Sequence, residues 1–174
     1  MIKVEVKGLD AVIDKFKNYN AVIQGDIQAA LNDWADRTAT NAKQLVSSNS
    51  SDEGNLLRSI SPVYGNGGAS VVATARYAAY IEFGTRKFAA NYVSGLPDDW
   101  ASYAGTFKGG GGGSFADFVK SLMAWCRHKG MDEVLAYPIA KKIMIEGIRP
   151  RPFLYPAAMK NLPILVNDIK DIFK

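Results

Sequence analysis

Leu9, Val12, Phe16, Tyr19, Ile23, Ile27, Leu31, Trp34, Thr38, Ala42 and Leu45 recur at a mean spacing close to 3.6 residues. No other feature constrains the fold as much. A stripe of that period predicts one amphipathic helix, which at the usual rise would run for about 55 Å. Asn18, Asn20 and Gly25 mark where it would bend or break. So long a helix either packs against neighbouring copies or lies across its own sheet, and the spacing leaves both open, with different halves free to do different things.

The residues before and after it supply that sheet. Ile2, Val4 and Val6 alternate with Lys3, Glu5 and Lys7, the period of an edge strand with one face buried. Ser47 to Asn55 is loop by composition, and a short helical turn is expected at Leu56 to Ser59. Ser61–Gly65 and Ala69–Ala75 flank Asn66-Gly67-Gly68, a turn signal between short runs containing Val63, Val71 and Val72, and so read as a hairpin. The expected class is α+β: a small antiparallel sheet of N-terminal strand and hairpin, packed by the long N-terminal helix and a C-terminal helix.

Tyr77 to Gly84 reads as a compact helical turn ended by glycine, and Thr85 to Ser114 as mostly loop with a linker-like Gly109–Gly113 run. Phe115, Phe118, Leu122, Trp125 and Cys126 share a helical face that Gly130 would stop, and Pro138 to Glu146 predicts a second helix paired with it. Leu154, Ala158, Leu162, Leu165, Ile169 and Ile172 keep helical register in a closing helix, with Pro156 in its first turn and Pro163 placed to kink it. At 174 residues a single domain, 1–174, is expected, with a loop and helical insertion at about 86–148.

Composition narrows function. Hydrophobic residues at 48% and charged residues at 22% argue against disorder. Met1 to Lys7 lacks a continuous apolar stretch and no window reaches the length of a membrane span, so neither secretion by signal peptide nor membrane insertion is expected. One cysteine, Cys126, forbids an intrachain disulfide and suits a reducing compartment such as bacterial cytoplasm during assembly. The net charge of +4 is uneven: residues 1–119 hold 11 basic and 12 acidic side chains, residues 120–174 hold 10 and 5. That excess is too diffuse for sequence-specific DNA reading and suits a solvated or partner-facing basic surface.

Catalytic and metal-binding patterns are sparse. His128 is the sole histidine, and with Cys126 two positions away on a helix the pair diverges. One Cys and one His cannot form a structural zinc site, no serine sits in Gly-x-Ser-x-Gly, and the glycine run lacks the Gly-Lys-Ser/Thr of a phosphate loop. Asp98, Asp99, Asp132 and Glu133 are the acids available to converge on a cleft, although exposed loop and cap acids are the commoner explanation. The expectation is a non-enzyme with no cofactor and no metal.

Three segments together resemble the tail-completion, neck or head-to-tail joining proteins of lambdoid long-tailed phages. Gly54-Asn55-Leu56-Leu57-Arg58-Ser59-Ile60 is similar to that family's Gly-x-Leu-x-x-Ser-Ile lead into the first hairpin strand. Tyr77-Ala78-Ala79-Tyr80-Ile81-Glu82-Phe83-Gly84-Thr85 resembles its Tyr-Ala-x-Tyr-Ile/Val-Glu-x-Gly-Thr signature. Arg149-Pro150-Arg151-Pro152-Phe153-Leu154-Tyr155-Pro156-Ala157 resembles its Arg/Lys-Pro-Phe-Leu-x-Pro-Ala approach to the last helix. Gly54, Leu56, Ser59, Tyr77, Tyr80, Gly84, Pro152 and Phe153 are the structural signature, and Arg86 to Ser114 departs from shorter members.

The resemblance implies a virion protein at the neck, forming a ring of identical subunits, sixfold first and twelvefold second, with a channel for DNA that is not read. It also implies phage adaptor or stopper proteins on the head side and a tail terminator or tail tube protein on the other. A tail terminator capping the tube is the near alternative, and a DNA-binding protein the remote one. Glu82, Thr85, Arg86, Lys87, Arg149 and Arg151 are the candidate partner-interface residues. Glu82 would accept from a neighbouring subunit's Arg or cap local backbone donors, and both stay open. Flanking prolines hold Arg149 and Arg151 extended, as bidentate donors to a partner's carboxylates or as solvated charges. Gly84 is expected at positive φ. Phe153, Leu154, Trp34 and Trp125 are expected in the core.

Overall fold

The structure, a computed structural model, describes residues 1–5, 21–49, 54–107 and 114–174. In chain order the elements are β1 (Ile2–Glu5), α1 (Ala21–Asn49), α2 (Asn55–Ser59), β2 (Ile60–Gly65), β3 (Gly68–Ala73), α3 (Ala78–Phe83), α4 (Arg86–Val93), α5 (Asp98–Gly105), α6 (Phe115–His128), α7 (Ala136–Glu146) and α8 (Leu154–Ile172), with a 3-10 turn at Glu133–Leu135. They fall into two units. Unit 1 is Met1–Glu82 with Arg151–Lys174, and unit 2 is Phe83–Pro150.

Unit 1 holds the α+β architecture that the sequence pattern predicts. Its sheet has the order β1-β3-β2, antiparallel throughout. Ile2 and Ile60 both lie opposite Ala73, and Val4 and Pro62 opposite Val71, so alternation sends these side chains to one face. On that face Ile2, Val4, Ile60, Val71 and Ala73 are buried, while Lys3 and Glu5 point the other way and pair with each other. Gly67 takes a φ of 79° at the hairpin turn. The Gln28 side chain of α1 fastens that turn, accepting from Gly67 N–H at 2.8 Å and donating to the Gly68 carbonyl at 3.3 Å.

The described part of the first helix lies across its own sheet. Ile27, Leu31, Trp34, Thr38 and Ala42 of the predicted stripe are buried, packed on the hairpin strands and on α8. The two helices run antiparallel, since Arg37 donates to Asp168 (2.7 Å) while Asn41 donates to Asn161 (3.3 Å) and Asn161 to Thr38 (3.4 Å). The expected helical stretch from Leu9 to Asn20 lies outside the described residues, as do Val6 and Lys7. Where a loop was expected from Ser47, α1 instead continues to Asn49. Ser47 and Ser48 return their hydroxyls to the Gln44 and Leu45 carbonyls (2.9 and 3.0 Å) in the last turn of the helix. Pro163 sits inside α8, whose helix continues through it.

Unit 2 corrects the expectation of a long loop. Residues 86–93 and 98–105 form α4 and α5. Trp100, Tyr103 and Phe107 have helical spacing and gather with Phe83 in one aromatic cluster, with ring centroids 5.0 to 6.3 Å apart. Asp98 and Asp99 in the first turn of α5 favour its N-terminus. The Gly109–Gly113 run lies outside the described residues. Helices α6 and α7 pack together as the predicted pair, and Gly130 (φ 66°) stops α6 with bonds from Met131 N–H to the Cys126 carbonyl and from Gly130 N–H to the Arg127 carbonyl. Cys126 is buried but Trp125 is only half-buried, so the core expected of it is partial.

Ser114 starts α6 with a capping box: its hydroxyl accepts from Asp117 N–H (3.1 Å) and its N–H donates to the Asp117 carboxylate (3.3 Å). Ser114→Ala is expected to destabilise by about 1 kcal/mol, read as a lowered midpoint in urea unfolding. No change in the midpoint would show the cap to be idle.

Candidate functional site

The three signature segments each have a definite local structure. Gly54 (φ 70°) opens α2 and its carbonyl accepts from Arg58 N–H at 2.9 Å. Leu56 is buried, Ser59 donates its hydroxyl to the Leu56 carbonyl (2.8 Å), and the Ser59 carbonyl accepts from Thr74 N–H (3.1 Å) beside the start of β2. In the second segment Tyr77 is exposed and Tyr80 half-buried, while Ala78, Ala79 and Glu82 are buried. The Tyr77 carbonyl accepts from Tyr80 and Ile81 N–H, which starts α3.

Within unit 1 the second and third segments are bonded to each other. Arg151 N–H donates to the Ile81 carbonyl at 2.7 Å. Glu82 is fully buried, and its carboxylate faces the start of α8, where Oε2 accepts from Phe153 and Leu154 N–H (2.7 and 2.9 Å) and Oε1 from Tyr155 N–H (2.9 Å). A helix start leaves about four backbone donors without an intrahelical partner. Here the N–H groups of Phe153, Leu154 and Tyr155 are taken by Glu82, and the next residue, Pro156, has no N–H. Phe153 offers no side-chain cap of its own. The carboxylate also lies at the positive end of the helix dipole. Burial pushes the Glu82 carboxyl above its ordinary value, against the pull of the three donors.

This resolves the two roles left open for Glu82. It caps local backbone donors and has no surface to offer a partner, so it is removed from the candidate interface. Phe153 and Leu154 are buried as expected, and Pro152 is half-buried.

Most of the remaining candidates meet in unit 2. Thr85 N–H donates to the Ile148 carbonyl (2.9 Å), and Ile148 N–H to the Thr85 hydroxyl (2.7 Å), tying the start of α4 to the segment after α7. Gly84 has the expected positive φ, 74°, and a Cβ there would lie 2.8 Å from the Ile148 carbonyl oxygen. Arg86, Lys87 and Arg149 are exposed. Lys87 Nζ and the Arg149 guanidinium both sit by the Phe88 ring, 5.2 and 5.3 Å from its centroid, and Lys87 pairs with Glu146 at 3.9 Å. Arg151, exposed in unit 1, belongs to the other group.

Sequence reasoning missed Phe88 as a shared ring and Gly147 as the close neighbour of Thr85. A helix start with Pro156 at its third position and no capping residue at Phe153 was the signal that a distant acid had to supply the cap. Asp132 caps Val134 N–H (3.0 Å) and Glu133 pairs with Arg127 (2.7 Å), and Asp98 and Asp99 sit at a helix start, so each of these acids has a local structural place. Among the described residues no group of three or more His, Cys, Asp or Glu side chains is placed to hold a metal ion. No described helix is long and apolar enough to cross a membrane.

Residues 10–84 match the model of the family described as "Bacteriophage HK97-gp10, putative tail-component". The match supports a phage tail- or neck-region protein family. It takes in α1, the hairpin and the Tyr77–Gly84 segment, and ends two residues into unit 2. The family is one of structural phage tail components, and a tail component resides in the virion. No curated protein and no solved structure matches the chain.

Proposed function

We propose that the protein forms a homo-oligomeric ring at the head-tail interface of a tailed phage, joining tail to head around a channel for DNA. The observation that carries the reading is the family match over residues 10–84, which covers the first signature segment and the second up to Gly84. Glu82 adds the third by holding the Phe153–Tyr155 backbone. Subunits of such a ring associate through heterologous surfaces that close by rotation, sixfold in the first instance and twelvefold in the second. The exposed cations Arg86, Lys87, Arg149 and Arg151 are suited to carboxylates of adaptor, stopper, terminator or tube proteins. The role is mechanical and needs no catalytic residue or cofactor.

Electron microscopy of lysates from the parent phage carrying a nonsense mutation in this gene tests the reading. DNA-filled heads and full-length tails are expected to accumulate unjoined. Tails of uncontrolled length would favour a tail terminator instead, and normal infectious particles would overturn both.

A further inference from the structure

Helix α7 is apolar on both sides. Ala136 and Ala140 are buried, whereas Tyr137 and Ile145 on the outer side are 59% and 67% exposed, and Val134 just before the helix is 75% exposed. At 100° per residue Pro138, Lys141 and Ile145 form one outward line of α7, with Tyr137 and Met144 along one flank and Lys142 on the other. Exposed apolar side chains gathered around two lysines on one helix face mark an interaction surface.

A complementary strip exists on unit 1. Asp26, Asp33 and Asp36 are exposed on α1, opposite its buried stripe, with Ala29 and Thr40 between and beyond them. The one basic side chain within that span, Arg37, is turned to Asp168 of α8, and Asp36 accepts from the Tyr64 hydroxyl at 2.7 Å, so Asp26 and Asp33 are the acids offered to a partner. Ala29 and Thr40 there are small, and Asp26 to Asp33 spans about 10 Å, within the roughly 12 Å from Tyr137 to Ile145 along α7.

We propose that the outer face of α7 docks on the Asp26–Thr40 strip of α1 in a second copy of this chain, with Lys141 and Lys142 set against Asp26 and Asp33. Charge complementarity selects this occupant. Pairing α7 with itself would oppose lysine to lysine, and a polyanion would leave Val134, Tyr137 and Ile145 uncovered. Two different patches meeting is the heterologous geometry that a ring requires, and the proposal rests on that reading.

The test supplies full-length protein in trans to the nonsense-mutant phage and counts infectious particles. K141E/K142E is expected to lower the titre roughly tenfold or more, and adding D26K/D33K in the same chain to restore it. Ile145→Ser, which changes no charge, is expected to lower it as well. All five positions are exposed, so circular dichroism is expected to match the wild type in every variant. A full titre with K141E/K142E or with I145S overturns the docking, as does a folded four-substitution chain that stays defective. Normal particles from the nonsense mutant itself overturn the joining role instead, so the two failures are distinguishable.

Discussion

Glu82→Ala is expected to destabilise the protein by about 3 to 5 kcal/mol, because it strands three backbone donors and leaves a void. The N–H groups of Phe153, Leu154 and Tyr155 have no side-chain cap to fall back on, and Phe153 and Leu154 are buried. Glu82→Gln keeps the volume and one acceptor oxygen but turns an amide donor toward one of the N–H groups, so a smaller loss of about 1 to 2 kcal/mol is expected. Urea unfolding gives the magnitudes, and hydrogen exchange at residues 153–155 gives the location, with the fastest exchange expected in the alanine variant. An alanine variant within about 0.5 kcal/mol of wild type would mean that water or a shifted helix start satisfies those donors.

The same residue sets a pH dependence. Glu82 has its carboxyl raised above the ordinary 4.5 by burial, so the folded chain binds that proton more tightly than the unfolded chain. Its contribution is therefore fully present below about pH 4.5 and declines as pH rises through the folded value. Subtracting the Glu82→Gln profile isolates it, and the wild-type advantage is expected to shrink upward from that pH. An advantage that grows would mean that the three donors outweigh burial.

Gly147→Ala is expected to cost about 3 kcal/mol or more in unit 2. Gly147 has φ 95° and ψ −178°, a conformation essentially reserved for glycine. A Cβ there would fall 2.2 Å from the Thr85 carbonyl oxygen and 3.0 Å from Arg86 Cβ. Backbone would have to move, and with it the paired bonds between Thr85 and Ile148. Arg86 already carries a positive φ of 53° beside this contact, so little slack remains. Gly25→Ala is the control, since a Cβ there meets nothing within 4 Å inside a helix and is expected to stabilise by about 0.5 to 1 kcal/mol. Near-ultraviolet circular dichroism and proteolysis between residues 83 and 150 read the damage. Equal effects at both glycines would contradict the close packing of Thr85 on Gly147.

Periodicity made the α+β class legible. The alternation of Ile2 and Val4, the Asn66-Gly67 turn and the stripe from Ile27 to Ala42 are local patterns whose period declares the buried face, and the structure buries them accordingly. The helices at 86–93 and 98–105 were hidden because eight residues give barely two turns of period, although Trp100, Tyr103 and Phe107 carried it. Trp125 reads as core by residue type, but its degree of burial depends on neighbours far along the chain. At the candidate site Gly84 announced its backbone, whereas Glu82 did not announce its partners. Its three acceptor bonds reach 71 to 73 residues along the chain, and only folding brings that distance to zero.

Arg151 N–H meets the Ile81 carbonyl at 2.7 Å, so the chain rejoins unit 1 one hydrogen bond away from where it departed. Any excursion that begins after Glu82 and returns at Arg151 closes the same doorway, whatever its length. Evolution can then exchange or enlarge the inserted cassette while the frame of helices and sheet stays shut, and an engineer can graft a tag or a reporter domain at the same splice.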